Sequence, residues 1–163
     1  MKKILKRLCT GFLAFATVVT ALPSSTVHAS NTQYWTESKE RVGIVEQVMN
    51  DGSISSTFNE GHLTVEGKDA YCIDINTAFK NGYKTRTDAS SRMSADRISD
   101  VALSIEYVKQ YTDSHSGISS KHAYLLRQLV VWQRLSVQLD WQCDNVRASY
   151  DEIPKAVQDE VFA

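Results

Sequence analysis

The hydrophobic and polar positions divide the chain into a strand-like first half and a helical second half. From Tyr34 to Ile75, short runs of β-branched and aromatic residues alternate with turn-forming residues, which is the pattern of half-buried antiparallel strands. Three turns are predicted between these strands. They are Asn50-Asp51-Gly52, Asn59-Glu60-Gly61 and Glu66-Gly67-Lys68-Asp69.

The last predicted strand of this half has the sequence DAYCIDI, from Asp69 to Ile75. Alternate side chains of an extended segment point to opposite faces. One face then carries Tyr71, Ile73 and Ile75, and the other carries Ala70, Cys72 and Asp74. We expect the first, apolar face to lie in the core. Residues 76–88, with Asn81-Gly82 at their centre, are predicted to form a loop.

The second half follows the 3.6-residue period of amphipathic helices. Ser94 is placed to cap a first helix, whose apolar positions are Ile98, Val101, Ala102, Ile105 and Val108. Ser119 or Ser120 begins the most strongly periodic helix, SKHAYLLRQLVVWQRLSVQL. Pro154 suits the first turn of a last helix. Three helices are therefore predicted.

Gln128 interrupts the apolar face of the second predicted helix. At 100° per residue it falls between the directions of Leu135 and Trp132, inside the hydrophobic arc. A buried amide without hydrogen bonds costs roughly 1–3 kcal/mol. We therefore expect Gln128 to have specific backbone or side-chain partners.

Strands followed by helices predict an α+β fold, in which N-terminal antiparallel β-strands pack with a C-terminal group of about three helices. Residues 30–163 number 134, which is the size of one ordinary domain with its own core. No internal repeat or linker divides them. One domain over residues 30–163 is the prediction.

The N-terminus has the three parts of a secretory signal peptide. They are a basic head with Lys2, Lys3, Lys6 and Arg7, an apolar run from Gly11 to Leu22, and small residues before a cleavage position after Ala29. An uncleaved anchor is the alternative, but the run is shorter than the ~20 apolar residues of a spanning helix. We expect residues 1–29 to be removed and the protein to be secreted or displayed at a cell surface, without a wall anchor in this chain.

Composition excludes several classes of function. Removal of residues 1–29 takes away four basic side chains and no acidic one, so the formal charge changes from −1 to −5. This acidic balance argues against nucleic acid as a partner. The histidines are scattered without CxxC or HExxH spacing, so we expect no metal and no cofactor. Asp113-Ser114-His115 holds the residue types of a serine hydrolase, but no GxSxG motif accompanies it.

Three roles are open to Cys72: half of a disulfide, a small buried hydrophobe, or a reactive group. Cys143 is the other cysteine of the mature chain, and exported proteins commonly form disulfides. A papain-like thiolate is disfavoured, because Asp74 shares the predicted strand face and a nearby negative charge opposes ionisation. The residues alone count against a free catalytic thiolate and leave the disulfide and the small buried hydrophobe open.

Two segments resemble the motifs of thioester domains, the Cys-Gln bond-forming domains of Gram-positive surface adhesins and pilus-tip proteins. Tyr71-Cys72-Ile73-Asp74 is similar to their cysteine motif, in which an aromatic residue or leucine precedes the cysteine and an apolar residue follows it. The segment from Arg127 to Trp132, RQLVVW, is similar to their helical Thr-Gln-x-Ala-apolar-Trp (TQxA) motif. Here Arg127 replaces the threonine and Val130 the alanine. The resemblance covers roughly Val42 to Ala163.

The resemblance implies a covalent adhesion module and not an enzyme. In such domains the cysteine thiol attacks a glutamine carboxamide, releases ammonia and leaves an internal thioester. An amine, typically a lysine of a host surface protein, then attacks the thioester and forms a lasting isopeptide-type amide. The resemblance makes Cys72 the thioester donor, and Tyr71, Asp74, Gln128 and Trp132 its supporting residues.

The resemblance also implies a thioester glutamine on a later strand, in an apolar-Gln-x-apolar-apolar motif. After Trp132 the chain offers Gln133, Gln138, Gln142 and Gln158, and the surroundings of Gln158 match only in part and are helical. We expect the partner beyond Ala163, so that the domain is truncated and inactive as written, with Gln128 the less favoured partner. The alternative is a non-covalent extracellular binding domain stabilised by a Cys72–Cys143 disulfide.

Overall fold

One long strand organises the sheet of this protein. The computed structural model describes residues 32–73, 75, 80–85, 88–135 and 143–163. The strands in these ranges are β1 (Thr32–Met49), β2 (Ile54–Val65), β3 (Lys68–Asp69), β4 (Gly82–Thr85) and β5 (Cys143–Ala148). The helices are α1 (Ala95–Ser114), α2 (Ser120–Leu135) and α3 (Lys155–Phe162), with a short 3-10 helix at Ala89–Ser91.

Strand β1 pairs with three neighbours, all antiparallel. On one side β2 runs along most of its length, and β3 extends the sheet beyond β2. On the other side β4 pairs with the beginning of β1 and β5 with its end, so that Trp35 faces Gly82 and Val45 faces Ala148. The sheet therefore has the order β3-β2-β1-β4, with β5 also on β1.

The prediction of an α+β fold is confirmed, with antiparallel strands followed by a group of three helices in the described residues. Residues Asn31–Ala163 form one compact unit. None of the described helices is long and apolar enough to cross a membrane. The predicted signal peptide, residues 1–29, lies outside the described residues.

Strand β5 is the part of the sheet that the sequence pattern did not predict. It lies between α2 and α3 in the order of the chain. Strand β4 also replaces part of the predicted loop at residues 76–88. Its pairing with β1 brings Tyr34 and Tyr83 into an edge-to-face contact at 4.9 Å between ring centroids, and such a pair stabilises a cross-strand position.

Two of the three predicted turns are present. At the β1–β2 connection Met49 N–H donates to the Ser53 carbonyl at 2.9 Å, and Gly52 has a φ of 83°. Between β2 and β3, Glu66 and Gly67 have φ values of 52° and 75°. Two successive positive φ angles are typical of a tight two-residue hairpin turn.

The prediction of a turn at Asn59-Glu60-Gly61 is wrong, because these residues lie inside β2. Gly61 has a different use there. The Glu37 side chain of the neighbouring strand occupies the space that a Cβ at this position would need. Glycine is therefore required by the close approach of Glu37 and not by a turn.

The prediction that Asp69–Ile75 forms one strand is wrong beyond Asp69. Residues Ala70 to Cys72 have no regular secondary structure, and Ile73 is 52% exposed instead of lying in the core. Tyr71 and Ile75 pack against the core, but Ala70 and Cys72 do so as well. The alternation fails because, in the described residues, only the Ala70 N–H is bonded to a neighbouring strand, at Leu63 of β2, while side chains of α2 bind the Ala70 carbonyl and the Cys72 backbone.

Helix α2 is the centre of the hydrophobic core. The Ser119 hydroxyl accepts from His122 N–H at 3.2 Å and caps the helix, and the predicted cap of α1 is likewise present, with Ser94 accepting from Arg97 N–H at 3.3 Å. The buried residues of α2 are Tyr124, Leu125, Leu126, Gln128, Leu129, Val130, Val131 and Trp132. The buried face thus includes Gln128, which is fully inaccessible to solvent.

Side-chain amides bind the edge of β5 that faces away from β1. Gln158 of α3 accepts from Ala148 N–H at 3.0 Å and donates to the Ala148 carbonyl at 2.9 Å. The Val146 N–H donates to the side chain of Asn145 at 2.8 Å, and the Val146 carbonyl accepts from Gln133 at 3.3 Å. Alternate residues of an antiparallel strand direct their polar groups away from the partner strand, and here amides take those bonds.

Candidate functional site

The side chain of Gln128 holds the backbone of Cys72 through two hydrogen bonds. Cys72 N–H donates to Gln128 Oε1 at 2.8 Å, and Gln128 Nε2 donates to the Cys72 carbonyl at 2.8 Å. The carboxamide therefore imitates a neighbouring strand, because it supplies one acceptor and one donor to the same residue. The partners that the burial of Gln128 requires are present, and one of them is the cysteine-bearing segment.

Tyr124, one helical turn before Gln128, contacts the same segment. Its hydroxyl donates to the Ala70 carbonyl at 2.8 Å and accepts from Leu63 N–H at 3.1 Å. Its ring stacks on the ring of Tyr71, with centroids 5.4 Å apart and planes 20° apart. Tyr124 therefore joins α2 to β2 and to the residues immediately before Cys72.

Arg127 binds the start of the segment through Asp69. Arg127 NH2 lies 3.1 Å from Asp69 Oδ2, and His62 Nε2 lies 2.8 Å from Asp69 Oδ1. The Arg127 Nε donates to the Ala123 carbonyl of its own helix at 3.1 Å, which orients the guanidinium. The segment from Asp69 to Cys72 is thus bound by α2 at both ends and through Tyr124 in between.

The environment of this site shifts three titrations. Burial raises the pKa of Tyr71 to about 12, although the Arg127 guanidinium opposes the shift. Burial also raises the pKa of Tyr124. In β2, burial together with the negative charge of Glu37 raises the pKa of Glu60 to about 8. Both tyrosines are therefore neutral hydrogen-bonding and stacking groups at physiological pH.

Two other residues predicted to support Cys72 are Trp132, which lies in the hydrophobic core, and Asp74. Trp132 is 2% exposed and packs in the core, edge to face with Phe58 at 6.1 Å between centroids. Its indole Nε1 has no hydrogen-bond partner in the described part of the chain. Asp74 lies outside the described residues. The structure thus brings together Cys72, Tyr71 and Gln128 and leaves Trp132 as a core residue.

The backbone positions of Cys72 and Cys143 argue against a disulfide between them. Ala70, two residues before Cys72, is bonded to Leu63 of β2, which pairs with Glu37 at the beginning of β1. Cys143 pairs with Met49 at the end of β1. These β1 positions are separated by about 40 Å of strand at ~3.3 Å per residue. Bending shortens this path, but a disulfide requires Cα atoms within about 7 Å of each other.

The described glutamines after residue 127 all have their carboxamides in hydrogen bonds. Gln128 binds Cys72, Gln133 binds Asn145 and Val146, and Gln158 binds Ala148 and Ile153. Gln138 and Gln142 lie outside the described residues. The oxygen and the NH2 group of the Gln128 carboxamide are both bonded to the Cys72 backbone. This favours a positioning role for Gln128 over the role of acyl partner.

Sequence reasoning missed Tyr124, Arg127 and Asp69 as parts of this site. One signal was available for Tyr124, because residues four apart lie on the same face of a helix and Tyr124 stands four before Gln128. A second signal was the arginine at position 127, where the resemblance expects threonine. The ion pair with Asp69 accounts for a basic residue there.

Comparison with known proteins finds no match: no protein family, no curated protein and no solved structure is similar to this chain.

Proposed function

We propose that this protein is a covalent attachment module in which Cys72 forms an internal thioester with a glutamine side chain. The single observation that carries the proposal is the pair of 2.8 Å hydrogen bonds between Gln128 and the Cys72 backbone. A buried helical amide is expensive to place in a core unless it is fully bonded. Here its bonds fix the backbone of a half-buried cysteine, and a fixed backbone supports the proposal that the thiol is preorganised for reaction.

The proposed chemistry has two steps. The Cys72 thiol adds to the carboxamide carbon of the partner glutamine, the C–N bond breaks, and the thiol proton leaves with the amide nitrogen as ammonia. A primary amine of a target protein then attacks the thioester carbonyl, the C–S bond breaks, and the Cys72 thiol is regenerated beside a stable amide. The target proposed is a lysine on a host extracellular or surface protein, and the chemistry occurs once per molecule.

The mass of the intact mature protein tests this proposal. A thioester lowers the mass by one ammonia, and methylamine then adds its own mass to the thioester form, which leaves the protein heavier than the unmodified chain by one methylene group. Cys72→Ala abolishes both changes, whereas Cys143→Ala, the matched control, leaves them intact. The measurement is made on the mature chain and, if the gene continues past Ala163, on the longer product.

Other outcomes of the same measurement are equally informative. A loss of two hydrogens that methylamine does not reverse would indicate a disulfide and the alternative function, a non-covalent binding domain. An unshifted mass with alkylatable Cys72 in the full-length product would overturn the thioester proposal. The separation of the two cysteine-bearing segments along β1 argues against the disulfide outcome.

A further inference from the structure

The position of Cys72 depends on side chains of α2 more than on the sheet. Strand β3 ends at Asp69, and the following backbone is bonded to Leu63, Tyr124 and Gln128. The Gln128 carboxamide binds the Cys72 backbone only if the segment from Asp69 to Cys72 lies at the matching position along the axis of α2. Asp69, the first residue of the segment, is held by the pairing of β3 with Thr64 of β2 and by the contact of its side chain with α2.

Asp69 connects three elements of the fold. Its two carboxylate oxygens contact His62 of β2 and Arg127 of α2, and Asp69 itself belongs to β3. The side chain of Arg127 is 15% exposed and that of Asp69 is 36% exposed. An ion pair with one largely buried partner, oriented by a second hydrogen bond, is worth more than a pair between two exposed and mobile side chains.

We infer that Arg127 and Asp69 are positioning residues for Cys72: their ion pair fixes the beginning of the segment that carries the thiol. Arg127 stands at the place where the TQxA motif has threonine, so this is a feature of the present chain and not of the resemblance. Without the pair, residues 69–72 open locally while the rest of the core stays folded. The chemical consequence, a lower yield of thioester, rests on the proposed function, but the local opening does not.

The rate of Cys72 alkylation measures this opening. The mature protein is first treated with methylamine, so that Cys72 carries a thiol whether or not a thioester was present. After removal of the amine, iodoacetamide is added and the modification is quantified on the tryptic peptide that follows Lys68 and ends at Lys80. The variants are Arg127→Met, Asp69→Asn and their combination. Arg134→Met is the matched control, because Arg134 is an exposed arginine seven residues further along the same helix face.

We expect Arg127→Met and Asp69→Asn each to raise the alkylation rate by roughly fivefold, as the loss of a half-buried ion pair predicts. The double variant raises it no further, because both changes remove the same interaction. Arg127→Lys gives an intermediate rate, since the ammonium keeps the charge but lacks the planar fork of arginine. Arg134→Met stays within about twofold of the wild type, as for surface substitutions in general.

A second measurement separates local opening from general destabilisation. The alkylation rates are repeated at low denaturant concentrations, where local opening exposes little surface and is insensitive to denaturant. Equal rates in Arg127→Met, Asp69→Asn and Arg134→Met would overturn the inference. A steep denaturant dependence in every variant would do so as well. If Arg127→Met does not fold, Asp69→Asn and Arg127→Lys carry the comparison. The mass of the untreated protein reports separately on the thioester.

Discussion

Replacement of Gln128 by glutamate tests the paired hydrogen bonds to Cys72 with the smallest change of shape. The variant keeps an acceptor for Cys72 N–H but replaces the donor Nε2 by an oxygen 2.8 Å from the Cys72 carbonyl. The lost bond leaves a buried carbonyl without a partner, which costs roughly 1–3 kcal/mol. An ionised carboxylate at a fully buried position adds a desolvation cost, so that about 3–5 kcal/mol in total is expected near neutral pH.

The cost of Gln128→Glu should depend on pH. Burial raises the pKa of the introduced carboxyl above its unfolded value of about 4.3. Stability is therefore fully present below that value, where the protonated carboxyl again donates to the Cys72 carbonyl, and is lost as the pH rises through the folded pKa. The difference from the wild type grows with a slope of up to ~1.4 kcal/mol per pH unit.

The assay is urea denaturation of both proteins from pH 4 to 8, followed by tryptophan fluorescence. Gln110→Glu is the matched control, because Gln110 is an exposed glutamine on α1 and its replacement should cost about 0.5 kcal/mol or less by repulsion from Glu106. A cost for Gln128→Glu that equals the control, or that is the same at pH 4 and pH 8, would refute the argument from the hydrogen-bond pair.

Three further substitutions examine neighbouring features by denaturant unfolding. Because the pKa of Glu60 is raised to about 8, the wild type should lose stability between pH 4.5 and 8, and Glu60→Gln should remove this loss. After a discount for partial exposure of the carboxyl, the gain in stability is roughly 1–3 kcal/mol at pH 8 and above. An unchanged dependence of stability on pH in the variant would contradict this expectation. Tyr124→Phe keeps the ring on Tyr71 but leaves the buried Leu63 N–H and the half-buried Ala70 carbonyl without the hydroxyl, at a cost of about 1–3 kcal/mol; a neutral effect would show that water replaces it. Gln158→Leu removes three buried hydrogen bonds and should cost about 2–4 kcal/mol, with the exposed Lys155→Leu as the control that should stay near the wild type.

The helices and the fold class could be predicted because they depend on local rules. Periodicity places α1 and α2, and the caps Ser94 and Ser119 mark their first turns. The burial of Gln128 also followed from periodicity, since its direction on the helix is fixed by its number. What periodicity does not contain is the identity of the partner, because Cys72 is far away along the chain.

The failures of the sequence prediction have a common physical origin in contacts between distant segments. Gly61 and its neighbours looked like a turn, but the Glu37 side chain of another strand explains the glycine. The segment after Asp69 looked like a strand, but α2 binds its backbone, so Ile73 is exposed. Strand β5 is short and follows a stretch without a clear pattern, and it is a strand because it pairs with β1.

The amides along β5 have a consequence for the behaviour of the protein in concentrated solution. An open strand edge is a template on which a second molecule can add a strand. Along β5 this template is occupied, since Gln158 and Gln133 already bind the outward backbone groups of Ala148 and Val146. An incoming strand would have to displace buried bonds before forming its own. Along β5, in the part of the chain that the structure describes, side chains close the edge, and we do not expect copies of the protein to join through this strand.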